Sequence, residues 1–259
     1  KVTKVLEKAR SSYYPAFARL VAEVRQAGEQ ANDAARHLKA LEGVIQQLKH
    51  DDFGSLVHVF KPMLLILLLI WKHSTCYSTP HRMVVLLREV CNDVIARAQA
   101  FLEEKELFAL EPQDAADALK HALRMCITFK SVFFAYQRRA MSECPSRPWH
   151  FEDSSLFARL DAFLERVHDV LDLMQTIMQF SKLARIEIGG TKGKALSSNL
   201  SGIYADFVAA VEPFKSAAYN IISVEEPQFE DDFFAFRLTV QDLERRLASV
   251  IIQAFDDST

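Results

Sequence analysis

Apolar residues recur along this chain in steps of three and four. Phe157, Leu160, Leu164, Val167, Leu171, Met174 and Met178 keep that spacing without a break, and Phe163, Val170 and Ile177 form a second stripe beside it. A repeat of seven places the first stripe on one face of a helix. A single coiled-coil partner would cover that stripe alone, so two adjacent stripes predict contact with at least two neighbouring helices. The helix is expected to continue to Ile188-Gly189-Gly190, where glycine can take the left-handed turn that stops it.

The same spacing recurs on both sides of this helix. Lys1 to Arg10 reads as a short helix, and Ser11 or Ser12 can cap the next, with Pro15 in its first turn. Phe17, Leu20, Val24, Ala27, Ala31, Ala34, Leu38, Leu41, Ile45 and Leu48 then hold a heptad that is large at its ends and alanine in its middle, until His50-Asp51-Asp52 breaks it. Met63 to Trp71 is continuously apolar but spans about half of the roughly 20 residues that a membrane crossing needs, and Lys61, Lys72 and His73 flank it. It reads as a helix buried on all sides. Thr79 can cap a helix opened by Pro80, with Met83, Leu87, Val90, Val94 and Ala98 inward. Asp114 can cap the next, whose face is Ala115, Ala118, Ala122, Met125, Phe129, Val132 and Tyr136. Beyond the glycines, Leu196, Leu200, Ile203, Phe207, Ala210 and Phe214 make one heptad helix. Phe229, Phe233, Phe236, Val240, Leu243, Leu247, Val250 and Ala254 make another, with Asp242 and Arg246 as an exposed pair four residues apart.

These elements predict an all-α chain of consecutive antiparallel helical bundles, joined as an elongated rod segment. Cys144, Pro145 and Pro148 mark the boundary between a first bundle, residues 1–143, and a three-helix heptad bundle, residues 149–259. Only 7 Gly and 8 Pro in 259 residues favour long helices over a turn-rich β fold. A net charge of -3 leaves no electrostatic footprint for nucleic acid. Cys76, Cys91, Cys126 and Cys144 are too few and too scattered for a disulfide frame and read as reduced thiols of a cytosolic compartment. Lys1-Val2-Thr3-Lys4 opens straight into a helical pattern without initiator Met or signal peptide, so the chain reads as a piece of something longer.

No catalytic, cofactor-binding or metal-binding set emerges. Gly189-Gly190-Thr191-Lys192-Gly193-Lys194-Ala195 resembles a phosphate loop, but the gap before Gly193-Lys194 is one residue short and Ala195 stands where a magnesium-binding hydroxyl is needed. The segment reads as a tight turn between helices, with Arg185 to Ile188 extended. His73, Cys76, His81 and Cys91 lack the paired short spacing of a closed zinc site. Cys144 has no paired His-Asn that would make it a nucleophile. The carboxylates at Glu225-Glu226, Glu230-Asp231-Asp232 and Asp256-Asp257 sit at loops and helix ends, where solvated faces and dipole partners are the ordinary reading. Most of the 19 Phe are expected in cores; Phe234 lies off the seam and could anchor another protein, although packing against a neighbouring helix is the ordinary reading.

Several blocks together resemble one family. Pro148-Trp149-x-Phe151, Phe157-x-Arg159-x-Asp161-x-Phe163-Leu164-Glu165-Arg166, Ile186-Glu187-Ile188-Gly189-Gly190-x-x-Gly193-x-x-Leu196 and Leu243-x-Arg245-Arg246-Leu247 with Phe255-Asp256-Asp257 are similar to the N-terminal tail of axonemal dynein heavy chains, most closely the outer-arm type. Upstream, Ser11 to Phe17, Ile70-Trp71 with Ser74 and Tyr77, and Thr79-Pro80-x-Arg82 look like the same tail. Trp71, Pro80, Trp149, Phe151, Gly189, Gly190 and Gly193 stand out as structural positions of the motif. The resemblance implies a non-catalytic stem of a microtubule motor that drives ciliary and flagellar beating, with the ATPase ring and stalk far downstream. It implies partnership with other heavy chains, with WD-repeat intermediate chains and their light chains, and, through a docking complex, with the doublet microtubule. The implied setting is the cytoplasm and the axoneme, with no cofactor, nucleic acid or membrane. A free-standing helical scaffold or tether is the alternative, and a helical nucleotide-binding enzyme using Gly189 to Lys194 is a third class.

Overall fold

A computed structural model describes residues 1–143, 145–146, 148–186 and 190–256. Among the described residues the chain forms eight α-helices, two short 3-10 turns and no strand. The helices are α1 (Val2–Lys8), α2 (Tyr14–His50), α3 (Val57–His73), α4 (Pro80–Glu103), α5 (Pro112–Glu143), α6 (Asp153–Phe180), α7 (Gly190–Lys215) and α8 (Gln228–Asp256). The all-α class follows from the heptad spacing. Among the described residues no helix is long and apolar enough to cross a membrane.

Local chemistry explains most of the boundaries. Pro80 opens α4 as expected, because a first-turn residue has no helical partner for its N–H. The same rule moves the start of α5 from the expected Asp114 cap to Pro112, which leaves Asp114 in the first turn, where the helix dipole favours a carboxylate. In α2 the N-cap position falls on Tyr13, and Ser11 instead accepts the Tyr13 N–H through its hydroxyl at 3.3 Å. The expected run of α6 to the glycines is corrected: it ends at Phe180, just after the seam runs out at Met178. Ser181 Oγ there donates to the Met178 carbonyl, and a 3-10 turn follows at Leu183–Arg185. Residues 187–189 lie outside the described set, so the expected stop at Ile188-Gly189 does too. Gly190 begins α7 at φ +81°, in the left-handed region that favours glycine, and Gly193-Lys194 belongs to the first turn of a helix instead of an inter-helix turn.

Contacts group the chain into two compact units, one of residues 1–93 with 128–156 and one of residues 94–127 with 157–259. Each unit takes part of α4 and part of α5, and Pro145 and Pro148 lie in the first. This is a grouping by contact; a linker read from composition is a different kind of division.

In the first unit α2 and α3 pack along one another. Phe60, Met63, Leu64, Leu67 and Trp71 of α3 are buried with Met83, Leu87 and Val90 of α4 and Phe129 and Phe133 of α5. Phe60 meets Phe129 edge to face at 5.4 Å. The apolar run of α3 is not covered on all sides as expected, since Leu69 stays 45% exposed.

In the second unit both stripes of α6 are buried at Phe157, Leu160, Phe163, Val167, Val170 and Met174, as two-sided packing requires. A phenylalanine cluster ties the end of α6 to α7 and α8. Phe180 stacks on Phe207 at 4.3 Å, and Phe214 meets Phe229 at 5.8 Å and Phe236 at 5.7 Å. Such aromatic pairs add about 0.5–1.5 kcal/mol each beyond the area they bury. The expected Asp242–Arg246 pair does not form; Arg246 reaches across to Asp206 of α7 at 2.7 Å instead, linking the two helices.

Phe207→Ala removes the ring shared by Phe180 and Phe236 and should destabilise the protein by about 3–5 kcal/mol. Phe234→Ala, at a side chain 66% exposed, should stay within about 0.5 kcal/mol of wild type. Urea unfolding followed by circular dichroism measures both.

Candidate functional site

A loop between helices brings backbone N–H and C=O groups that the helices no longer satisfy. In this chain two charged side chains collect such groups, and an aromatic cluster holds a third segment by packing.

The first is Asp33, on the inner half of α2. Its Oδ2 accepts the Ser74 hydroxyl at 2.5 Å and the backbone N–H groups of Thr75 at 2.9 Å and Cys76 at 3.0 Å. His37 Nδ1 lies 3.4 Å from Oδ1. Ser74 Oγ accepts the Tyr77 N–H in turn, and Arg82 donates to the Cys76 carbonyl and to Gln30 Oε1. The start of the 74–79 loop is thereby fastened to α2 at Asp33, and α4 beyond it is tied to α2 through Arg82. The hydrogen bond from Ser74, followed by the one from the Cys76 amide, brings the Asp33 pKa down to about 2.

The second is Arg166 of α6, which is 3% exposed. Its guanidinium donates to the carbonyls of Ile221, Ser223 and Glu226 and to Glu230 Oε1 at 3.0 Å, and it lies over the Phe229 ring at 4.2 Å. A planar fork with five N–H donors is the side chain that can serve so many acceptors at once. The loop between α7 and α8 is gathered around it. Nearby, Tyr219 donates to Asp232 Oδ2 at 2.6 Å. Burial, and then that bond, raise the Tyr219 pKa. Burial also raises Asp169, with the charge of Glu230 adding to it. Arg159 pairs with Glu225 at 2.5 Å.

The third is aromatic. Trp71 meets Phe151 at 5.4 Å, Phe151 meets Trp149 at 5.9 Å, and Trp149 meets Phe133 at 6.1 Å. Trp149 is fully buried and pins the segment after Pro148 to α3 and α5.

The residues singled out from sequence thus fall in different places. Trp71, Trp149 and Phe151 come together. Pro80 starts α4, Gly190 and the buried Gly193 lie in the first turn of α7, and Gly189 lies outside the described residues, as does the Lys192 side chain. Asp33 was not among them, although an aspartate set between the seam residues Ala31 and Ala34 is a signal that could have marked it. Of the carboxylates, Glu225, Glu230 and Asp232 are committed to Arg159, Arg166 and Tyr219. Among the described residues no three His, Cys, Asp or Glu side chains converge as a metal site. A cavity of about 280 Å³ near the start of the α7–α8 loop is walled chiefly by Leu102, Leu107, Phe108, Phe214 and Ile222. What these arrangements do chemically is hold loops.

A family model described as dynein heavy chain, N-terminal region 1, matches residues 1–259. The chain is 50% identical over 260 residues to the dynein beta chain of the flagellar outer arm of Chlamydomonas reinhardtii, an overlap that takes in 100% of this chain and 6% of that protein. It is 32% identical to dynein axonemal heavy chain 17 of Mus musculus and 31% identical to the ciliary dynein beta chain of Heliocidaris crassispina, each over 99% of this chain and 6% of the relative. The chain therefore spans about 6% of the length of these relatives.

Two outcomes test the polar nodes. Asp33→Asn should lower stability at neutral pH. A carboxylate with a depressed native pKa contributes fully above its ordinary value of 3.8, and that contribution fades as pH falls through about 2. The stability gap between wild type and Asp33→Asn should therefore close between about pH 4 and pH 2 in a series of urea melts; a gap that stays constant over that window contradicts the assignment. Arg166→Met should cost about 3 kcal/mol through the carbonyls it strands, and Arg166→Lys should recover only part of that because an ammonium lacks the fork.

Proposed function

The chain belongs to the dynein heavy chain family through its N-terminal region 1, and from that premise we propose that it serves as a non-catalytic stem segment of an axonemal outer-arm motor. The observation that carries this is identity of 50% maintained across the full 260 aligned residues with a flagellar outer-arm beta chain. The helical structure suits the role. A stem passes force between a motor and its anchorage, and long helices with loops fastened by Asp33 and Arg166 resist bending better than a linker-rich chain. The carboxylates at Glu225, Glu230 and Asp232 support the non-catalytic reading, because each is engaged in holding a loop or a neighbouring side chain.

In this reading the segment joins other dynein heavy chains, carries WD-repeat intermediate chains with their light chains, and takes part, through a docking complex, in attachment to the doublet microtubule. The motor it serves drives ciliary or flagellar beating. The segment works in the axoneme after assembly in the cytoplasm and takes no cofactor.

A tagged form of the protein, extracted from axonemes by high salt, should sediment with outer-arm particles that contain intermediate chains. Residues 1–259 alone should hydrolyse ATP at background rate with or without microtubules. Sedimentation apart from those particles, or turnover stimulated by microtubules, overturns the reading.

A further inference from the structure

The longest helix is covered along only part of its length. At about 1.5 Å per residue the 37 residues of α2 extend about 55 Å, against about 25 Å for the 17 residues of α3 that pack on it. The C-terminal end of α3 is fixed to α2 at Asp33 through Ser74, and Arg82 of α4 reaches α2 at Gln30. From there to His50 the seam is closed, with Leu41 and Leu48 buried. Toward Tyr14 the same seam continues, but Leu20 is 55% and Val24 64% exposed.

Gly28 adds an independent sign. It lies within the α2 helix, where glycine costs about 1 kcal/mol relative to alanine. A Cβ placed there would meet nothing within 4 Å, so nothing among the described residues of this chain needs the missing side chain. With Ala27 and Ala31 beside it, the position leaves room for a backbone to come close.

We infer that the N-terminal half of α2 is one side of a helix pair completed by an amphipathic helix from another part of the same heavy chain. The open seam is continuous with the α2–α3 interface, which already joins two helices of one polypeptide. The charges favour such an occupant over a steered external partner. Arg19 and Glu23, which flank the seam, are paired with each other in the helix itself, so the face presents no excess of either sign for an acidic or basic partner. A helix on the same polypeptide acts at an effective concentration that a free partner does not reach. The supply is ample, since this chain corresponds to about 6% of its relatives. The occupant presents large apolar residues at three- and four-residue spacing against Ala27, Gly28 and Ala31, and small ones against Leu20 and Val24. This inference rests on the stem reading above.

The test uses the assembled motor. A photoreactive benzoylphenylalanine at Val24, with a second variant carrying it at Arg25, about 100° around α2 and off the seam, is crosslinked in outer-arm particles recovered from axonemes. The expected result is crosslinks from position 24, and none from position 25, to positions three and four residues apart in the heavy chain beyond residues 1–259. Crosslinks to a second copy of residues 1–259, to an intermediate or light chain, or to nothing at all overturn the inference while leaving the stem reading intact. Failure to recover the tagged chain in outer-arm particles removes the stem reading and this inference with it. Gly28→Leu, whose Cβ would have nothing within 4 Å among the described residues, should reduce recovery of assembled particles several-fold; unchanged recovery overturns the close approach.

Discussion

A helix with apolar residues on two adjacent faces cannot be satisfied by one neighbour, and that constraint shapes this chain. In α6 the stripe of Phe157, Leu160 and Val167 and the stripe of Phe163 and Val170 are both out of water. At about 25 cal/mol per Å² of apolar surface, leaving either stripe exposed would cost several kcal/mol. The chain must therefore return along itself more than once. The turns that allow this are where its polar chemistry collects.

Asp33 and Arg166 show how those turns are managed. Each is a charged side chain near the wall of its unit, and each exchanges hydration for several backbone groups that have left their helices. They are complementary in sign. Asp33 gathers the N–H groups after α3, and Arg166 gathers the C=O groups of the loop before α8. A charge taken largely out of water and paired in this way fixes geometry more than it adds net stability, because desolvation offsets much of the attraction. Their role is to give each loop one conformation.

Much of the fold was legible because burial follows a period. Met83, Leu87, Val90, Val94 and Ala98 were expected inward and are buried, and the Phe-rich face of α8 likewise. Boundaries were less legible. Pro112 starts α5 where an aspartate cap was expected two residues on, and α6 ends at Phe180, more than two turns before Gly189. In both cases periodicity says where a helix faces and not where it stops. Long-range polar contacts left the weakest trace. Asp33 bonds to residues 41 to 43 positions away in the chain, and Arg246 prefers Asp206 to its own neighbour Asp242. Local spacing cannot rank partners that only the folded chain brings together. Trp71, Trp149 and Phe151 were marked by resemblance; their meeting in one cluster is a fact of packing that their sequence positions do not contain.

The distribution of these fastenings bears on how such a chain carries force. Tension along a helix is shared by successive hydrogen bonds parallel to its axis, while a loop offers none of its own. A bundle therefore yields first at its turns unless something else holds them. Here the turn after α3 is held by three hydrogen bonds on one carboxylate, and the turn before α8 by a guanidinium that is also packed on Phe229. The segment after Pro148 has Trp149 and Phe151 wedged against Trp71 and Phe133, and at its far end Arg88 donates to the Ser155 carbonyl and hydroxyl. The two kinds of fastening differ in directionality: a hydrogen bond holds an angle as well as a distance, whereas ring packing tolerates sliding and loses only about a quarter to a half of its contact energy over a gap of about 0.5–1 Å. Within the first unit, then, the turn after α3 is held in orientation by converging hydrogen bonds, and the Trp149 segment chiefly by the shape of the rings it packs among.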